Sequence, residues 1–220
     1  LTGNYGLYIL GLERTTAEAT QLMIQVAPML LLVSGLWVFG ERFSPAQWLG
    51  FGTFFCGLLM FFYPHFYSLF IAVNAYGVGV LMVLLAAVLW TGYAILQKFL
   101  LRDFSSQETM LVFYWIGALA FLPFSDFTSL PQLSNLQWGL LLFCGLNTLI
   151  AYGSFAEAMV HIEASKVSTI LALTPLITVA TVHTIPFSGL VVEALTPLSI
   201  SGAMLVVVGS MVTALNKVKE

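Results

Sequence analysis

Long apolar stretches dominate the chain, and short polar or charged segments separate them. A helix needs ~20 mainly apolar residues to cross a bilayer, and backbone within lipid must satisfy its own hydrogen bonds, so each stretch predicts a transmembrane helix. A shorter apolar segment, residues 1–12, precedes seven predicted spans. The spans are residues 16–40, 45–63, 77–100, 107–124, 136–160, 167–187 and 197–215. The pattern therefore predicts an all-α, polytopic membrane helical bundle of about seven and a half spans.

Composition supports a membrane protein. Apolar residues make up 60% of the chain, charged residues 8%, and the mean hydropathy is +0.97, whereas soluble domains carry roughly 25% charged residues. The net charge is −3 and there is no basic tract, so a nucleic acid partner is not expected. The expected surroundings are a lipid bilayer. Cys56 and Cys144 lie within apolar runs, which favours a packing role over a disulfide or a metal site.

Two parts of the chain share a set of landmarks. Glu41, Ser44, Pro45, Gly50 and Gly57 recur 152 residues later as Glu193, Thr196, Pro197, Gly202 and Gly209. Pro28 and Pro175 are 147 residues apart, and the same offset superposes the segment that holds Tyr5, Gly6 and Ala17 on Tyr152, Gly153 and Ala164. A shared register over so long a stretch indicates an internal duplication, with a five-residue insertion before Glu193.

The offset also predicts how many spans the repeat has. Residues 1–12 align with the end of the fifth predicted span, so we expect the chain to begin within a span, with about 70 residues before it. The intact protein would then have ten spans in two units of five. An odd number of spans places the second unit upside down in the membrane, which predicts an inverted repeat.

The distribution of Lys and Arg predicts the orientation, because these residues accumulate in cytoplasmic loops. Arg14 falls on one side of the predicted spans, and the remaining basic residues fall on the other: Arg42, Lys98, Arg102, Lys166, Lys217 and Lys219. The C-terminus is therefore predicted to be cytoplasmic. The loops at 64–76, 125–135 and 188–196 would face outward.

Smaller signals fit these boundaries. Ser105 and Glu108 have the spacing of a capping box, and Pro45 and Pro197 fall in the first turns of their spans, where a missing N–H is harmless. Glycines seven residues apart share one helix face, as in Gly50 with Gly57 and Gly202 with Gly209. Such faces predict close helix packing.

Together these features resemble the EamA-type branch of the drug/metabolite transporter superfamily. The landmarks that carry the resemblance are Pro28, Glu41, Gly50 and Gly57, together with Trp90, Thr91 and Tyr93. The resemblance implies ten spans, both termini cytoplasmic, and alternating access around a central cavity. Residues 1–72 would be the C-terminal part of the first EamA-like repeat, and 73–220 the complete second repeat.

The function that follows is a secondary carrier in the plasma (inner) membrane that moves a small organic metabolite. Its partners would be that small-molecule substrate and the lipid bilayer, and a homodimer is a further expectation. Two alternatives stay open: a membrane-embedded accessory or sensor subunit without transport, and an inactive fragment of a carrier.

Polar side chains within spans usually face the bundle interior, so they are the candidate substrate-binding residues. Glu18, Gln21 and Gln25 form a stripe that leads to Pro28. In the sixth span Thr174, Thr178 and Thr181 form a stripe beside Pro175, and both prolines are candidate hinges. The competing interpretation is that the stripes make helix-to-helix hydrogen bonds, that Glu18 favours the positive end of its helix, or that Thr side chains bond their own i−4 carbonyls.

Further candidates lie on the third and fifth spans. Trp90, Tyr93 and Gln97 share one face, and Asn147 shares another with Ala151 and Ser154. Asn147 is the deepest amide and is predicted to face ligand. The remaining ionisable groups are assigned to other roles. Glu157, His161 and Glu163 are predicted to be interfacial, and His183 is either a proton relay or merely hydrogen-bonded.

An enzyme is not predicted. Asp103 and Asp126, the only aspartates, are in loops, and His65, His161 and His183 lack metal-ligand spacing. No nucleophile elbow surrounds the serines. We therefore expect no catalytic residues, no metal and no cofactor.

Overall fold

The computed structural model describes residues 1–38, 44–65, 74–161, 170–171, 173–185 and 195–215. Within these ranges there are nine α-helices and no strands. The helices are α1 (Thr2–Leu12), α2 (Ala17–Ile24), α3 (Val26–Val38), α4 (Pro45–Phe62), α5 (Ala75–Leu100), α6 (Ser106–Phe121), α7 (Asn135–His161), α8 (Thr174–Thr184) and α9 (Pro197–Leu215). Single 3₁₀ turns follow α4 and α6 and precede α7.

The all-α, multi-pass prediction is confirmed. Six helical segments of the described chain are long and apolar enough to cross a membrane: Ala17–Ser34, Pro45–His65, Ala75–Leu100, Ser106–Phe124, Asn135–Ala158 and Pro197–Leu215. The predicted span 167–187 is described only in part, and α8 is its described helix. The landmarks and charges that lie outside the described residues are Glu41, Arg42, Glu163, Ala164, Lys166, Glu193, Lys217 and Lys219.

Capping side chains fix where several helices begin. The predicted box at α6 is present, since Ser105 Oγ accepts from the Glu108 N–H and the Glu108 carboxylate accepts from the Ser105 N–H at 2.9 Å. A second box opens α4, where Gln47 Oε1 accepts from the Ser44 N–H at 2.8 Å. These side chains satisfy N–H groups that a helix start leaves without partners.

Prolines interrupt two of the predicted spans. The first predicted span is not one helix, because α2 ends at Ile24 and α3 begins at Val26. Pro28 has no N–H to donate to the Ile24 carbonyl. At the break itself, the Gln25 N–H bonds Leu22 O at 3.3 Å, three residues back rather than four. Likewise α8 begins at Thr174, one residue before Pro175.

The chain packs as two compact units. The smaller unit comprises residues 1–2 and 95–163, and the larger comprises 3–94 and 164–220. Helix α5 contributes to both units. These units describe packing and do not follow the predicted repeat boundary, which stays a prediction.

In the larger unit, α4 and α9 pack through their glycine faces. A Cβ added at Gly50 would lie 2.8 Å from Gly209 O, and one added at Gly57 would lie 2.7 Å from Gly202 O. Gly50 therefore meets Gly209 while Gly57 meets Gly202, so the helices run antiparallel. The predicted close packing is confirmed, and the exchange of partners is what an inverted relation requires of these two helices.

The apolar segment at the start of the chain forms α1, which packs against α5. Asn4 is buried and its Nδ2 donates to Ala86 O at 2.9 Å. Further along, a Cβ at Gly11 would lie 2.9 Å from Gly79 O. Small residues again allow two helix backbones to approach closely.

The predicted packing role of the two cysteines is wrong. Both thiols are free, and both side chains are exposed, Cys56 on α4 and Cys144 on α7. In a membrane protein an apolar run covers the lipid-facing side of a helix as well as its packed side. An apolar neighbourhood in sequence therefore does not predict burial.

Candidate functional site

Helices α2 and α8 pack against each other within the larger unit. This contact brings the polar stripe of the first predicted span to the proline-bearing helix of the sixth. Pro28 and Pro175 are both buried. The two elements chosen from sequence as a candidate site therefore do meet.

Glu18 lies at one end of this contact. Its side chain is fully buried, at 0% exposure, and its Oε1 lies 3.6 Å from His183 Nδ1. The same His183 nitrogen lies 3.0 Å from Val179 O. His183 is thus hydrogen-bonded within α8, and it forms an ion pair with Glu18 when its ring is protonated.

Gln25 lies at the break between α2 and α3. Its Nε2 donates to Leu171 O at 3.0 Å. The residue is 4% exposed, and its Oε1 has no hydrogen-bond partner among the described residues. The amide nitrogen of Gln25 is therefore bonded to a backbone carbonyl, whereas the amide oxygen is a buried acceptor.

Among the other members of the two stripes, Gln21 and Thr181 make the helix hydrogen bonds of the competing interpretation. Gln21 is half-buried and its Nε2 donates to the Tyr8 hydroxyl at 2.8 Å, which is a helix-to-helix hydrogen bond. Thr181 donates to Ile177 O at 2.7 Å within its own helix. Thr174 and Thr178 are half-buried on α8.

The aromatic pair on α5 is close to α3. Tyr93 is 4% exposed, Trp90 is half-buried, and their rings meet edge to face with centroids 6.5 Å apart. Between them Thr91 Oγ1 lies 3.2 Å from Ala27 O and 2.9 Å from Ala87 O. The sequence did not predict a contact for Thr91. In the structure its hydroxyl links α5 to α3, the helix that contains Pro28.

Asn147 belongs to the smaller unit. Its side chain is exposed on α7. Gln97, in the same unit, is 1% exposed, and its Nε2 lies 3.6 Å from Met110 Sδ. The position of Asn147 along its span predicts its depth in the membrane but not the face of α7 that it occupies.

The smaller unit also contains polar contacts that sequence alone did not predict. Ser106 Oγ donates to Glu157, whose other oxygen lies 2.8 Å from His161 Nε2. Glu157 and His161 are exposed, and their interfacial position stays a prediction. A groove of about 470 Å³ lies between α6 and α7 beside Ser106 and Tyr114. The only signal in the sequence was the polarity of the first turn of α6.

No group of three His, Cys, Asp or Glu side chains in the described part of the chain is arranged to hold a metal ion. At the contact of α2 with α8 the polar groups are instead amides, hydroxyls, the Glu18 carboxylate and the His183 imidazole. Such groups can bind a solute by hydrogen bonds and by charge.

Known proteins place the chain in a family. Residues 1–63 and 77–215 match the EamA-like transporter family. The chain belongs to the EamA-like transporter family. The resemblance to the EamA-type branch is thus confirmed. The residues that carry it in the sequence are Pro28, Glu41, Gly50, Gly57, Trp90, Thr91 and Tyr93.

Individual EamA-like relatives are similar over most of this chain. An "Uncharacterized transporter" of Haemophilus influenzae is 33% identical over 98% of this chain and 71% of the relative. The "Uncharacterized inner membrane transporter YhbE" of Escherichia coli is 35% identical over 81% of this chain and 56% of the relative. The "Uncharacterized transporter YyaM" of Bacillus subtilis is 26% identical over 80% of this chain and 59% of the relative.

The chain thus spans just over half the length of two of these relatives. No solved structure matches it. Membership of the EamA-like family and the six apolar helices establish a multi-pass membrane protein.

Proposed function

We propose that this chain is part of a secondary carrier that moves a small organic metabolite by alternating access between two inverted repeats. The repeats would be residues 1–72, as the C-terminal part of the first, and 73–220. The observation that carries the proposal is the contact of α2 with α8. Two helices beside proline positions, one from each proposed repeat, meet there, and the Glu18 carboxylate lies near the His183 ring.

Interrupted helices suit a carrier for a physical reason. A helix break within lipid leaves backbone groups that neighbours or water must satisfy, so breaks occur where the chain lines a cavity or is covered by protein. Carrier sites commonly lie at such breaks, between the repeats and near the middle of the bilayer. Pro28 and Pro175 are the proposed hinges.

The proposed solute-facing residues come from both helices and from α5. They are Glu18, Gln21, Gln25, Trp90, Tyr93, Thr174 and Thr178, with Asn147 proposed from the smaller unit. Amides and hydroxyls both donate and accept hydrogen bonds without a fixed charge. Neither α2 nor α8 contains Lys or Arg. These features favour a neutral or zwitterionic solute over a strongly anionic one.

The membrane and the orientation follow from two arguments. One relative is called an inner membrane transporter, and the basic residues favour a cytoplasmic C-terminus. We propose the same membrane and orientation for this protein. A homodimer stays a prediction.

Transport by the intact protein in proteoliposomes tests the proposal. A panel of labelled neutral, zwitterionic, cationic and anionic metabolites is offered, with protein-free vesicles as the control. Saturable movement of a neutral or zwitterionic solute is expected. Movement of no solute, by protein that is folded and correctly inserted, would contradict the proposal and favour an accessory or sensor subunit.

A further inference from the structure

Pro175 leaves a gap in the hydrogen bonding of its helix. In an α-helix each N–H donates to the carbonyl four residues earlier, and proline has no N–H. The carbonyl four residues before Pro175 is that of Leu171. The interruption at Leu173, where the N–H bonds Ile170 O at 3.1 Å, lies between these two residues.

The side chain of Gln25 occupies this gap. Its Nε2 donates to Leu171 O at 3.0 Å, although the two residues are 146 positions apart in the chain. Gln25 is 4% exposed and Leu171 is half-buried. A carbonyl removed from water without a donor is costly, more so within lipid. The donor that proline removed is thus supplied by another helix.

We propose that Gln25, at the end of α2, is a positioning residue whose side-chain N–H replaces the N–H that Pro175 lacks and so holds the backbone at Leu171, just before α8, in place. The proposal goes beyond the proposed function, since the hydrogen bond forms whether or not a solute is carried. It gives Gln25 a structural use for its amide nitrogen and leaves Oε1 as a buried acceptor.

The arrangement is not duplicated in the sequence. The offset of 147 residues places Ala172 at the position equivalent to Gln25. The methyl side chain of Ala172 cannot donate a hydrogen bond. The residue at that position therefore cannot supply a donor to the Ile24 carbonyl, the one four residues before Pro28. The support that Gln25 gives beside Pro175 is therefore not mirrored at the equivalent position of the second proposed repeat.

A double-mutant cycle on the intact protein in detergent tests the proposal. Gln25→Met keeps the length of the side chain and removes its donor, whereas Pro175→Ala restores a backbone N–H for Leu171 O. Gln25→Met should lower the melting temperature, because a hydrogen bond within a membrane protein is worth about threefold, and up to about 18-fold, in the folding equilibrium constant. With Pro175→Ala present, the same substitution should lower it much less.

The control is Gln21→Met. Gln21 donates to the Tyr8 hydroxyl at 2.8 Å and not to a carbonyl freed by proline. Its effect should be equal with and without Pro175→Ala. If Pro175→Ala prevents folding, Pro175→Ser supplies the same N–H.

Hydrogen–deuterium exchange gives a second readout that needs no proline variant. Gln25→Met should speed exchange across residues 170–177, whereas Gln21→Met should leave that segment as in the parent. An equal loss of stability from Gln25→Met in both proline backgrounds, or exchange at 170–177 that does not respond to it, would overturn the proposal.

Discussion

Gly50 and Gly209 face each other across the contact of α4 with α9, so that a Cβ on either would lie less than 3 Å from the carbonyl oxygen of the other. Gly57 and Gly202 repeat the arrangement. Because the atoms in the way belong to backbone, rotation of a side chain cannot relieve the clash. The two helices can only be this close if all four positions are glycine.

This relationship predicts the effect of adding one methyl group. Gly209→Ala should destabilise the protein by about 1–3 kcal/mol, the usual result of overpacking, because α4 and α9 must move apart. Chemical denaturation followed by tryptophan fluorescence measures the change in the free energy of unfolding.

Gly52→Ala is the matched control. Gly52 lies on α4 as well, but a Cβ there would meet nothing within 4 Å. Alanine is the better helix former by up to about 1 kcal/mol, so this variant should be neutral or more stable. Equal destabilisation by both substitutions would show that the glycine faces do not pack as described.

The candidate site predicts that the Thr174 hydroxyl contributes to solute binding. Thr174→Val removes one hydrogen bond at nearly constant volume, which should weaken binding by about 0.5–1.5 kcal/mol. The measurement is the concentration dependence of transport by the intact protein, with surface expression checked alongside.

Thr53→Val is the control, and it tests whether loss of a threonine hydroxyl outside the candidate site also affects transport. The Thr53 side chain is half-buried on α4, and its hydroxyl donates to Leu49 O at 2.8 Å, within its own helix. Its loss should leave transport unchanged. If Thr174→Val also transports like the parent at equal expression, the threonine stripe is packing.

The proposed orientation predicts the result of reporter fusions. A reporter fused after Glu220 should report the cytoplasm, because Lys217 and Lys219 in the sequence favour a cytoplasmic tail. One inserted in the loop at 125–135 should report the exterior. Two reporters on the same side would mean that the number of spans between them is wrong by one.

Much of the fold could be predicted because membranes impose simple rules on sequence. Span length, glycine spacing and cap residues each identified helices or contacts that the structure contains, including the Gly50 and Gly57 face. The interruption at Gln25, three residues before Pro28, could also be expected from the missing N–H.

The partner of each polar side chain could not be predicted. Hydropathy gives the depth of a residue in the membrane but not the face it occupies, so it does not predict that Asn147 and Cys144 are exposed. The bond from Gln25 to Leu171 depends on how two distant helices pack. The sequence around Pro175 contains no indication that a side chain of another helix donates to the Leu171 carbonyl.

Access to Thr174 from the two sides of the membrane tests the central claim most directly. Thr174→Cys is introduced with Cys56 and Cys144 replaced by Ser, and an impermeant thiol reagent is added to vesicles of either orientation. Alternating access predicts that Thr174→Cys is labelled from both sides, and that bound solute changes the ratio of labelling from the two sides. Thr53→Cys in the same background should not be labelled. Thr174→Cys that reacts from neither side, or from one side regardless of solute, would contradict a carrier site between α2 and α8.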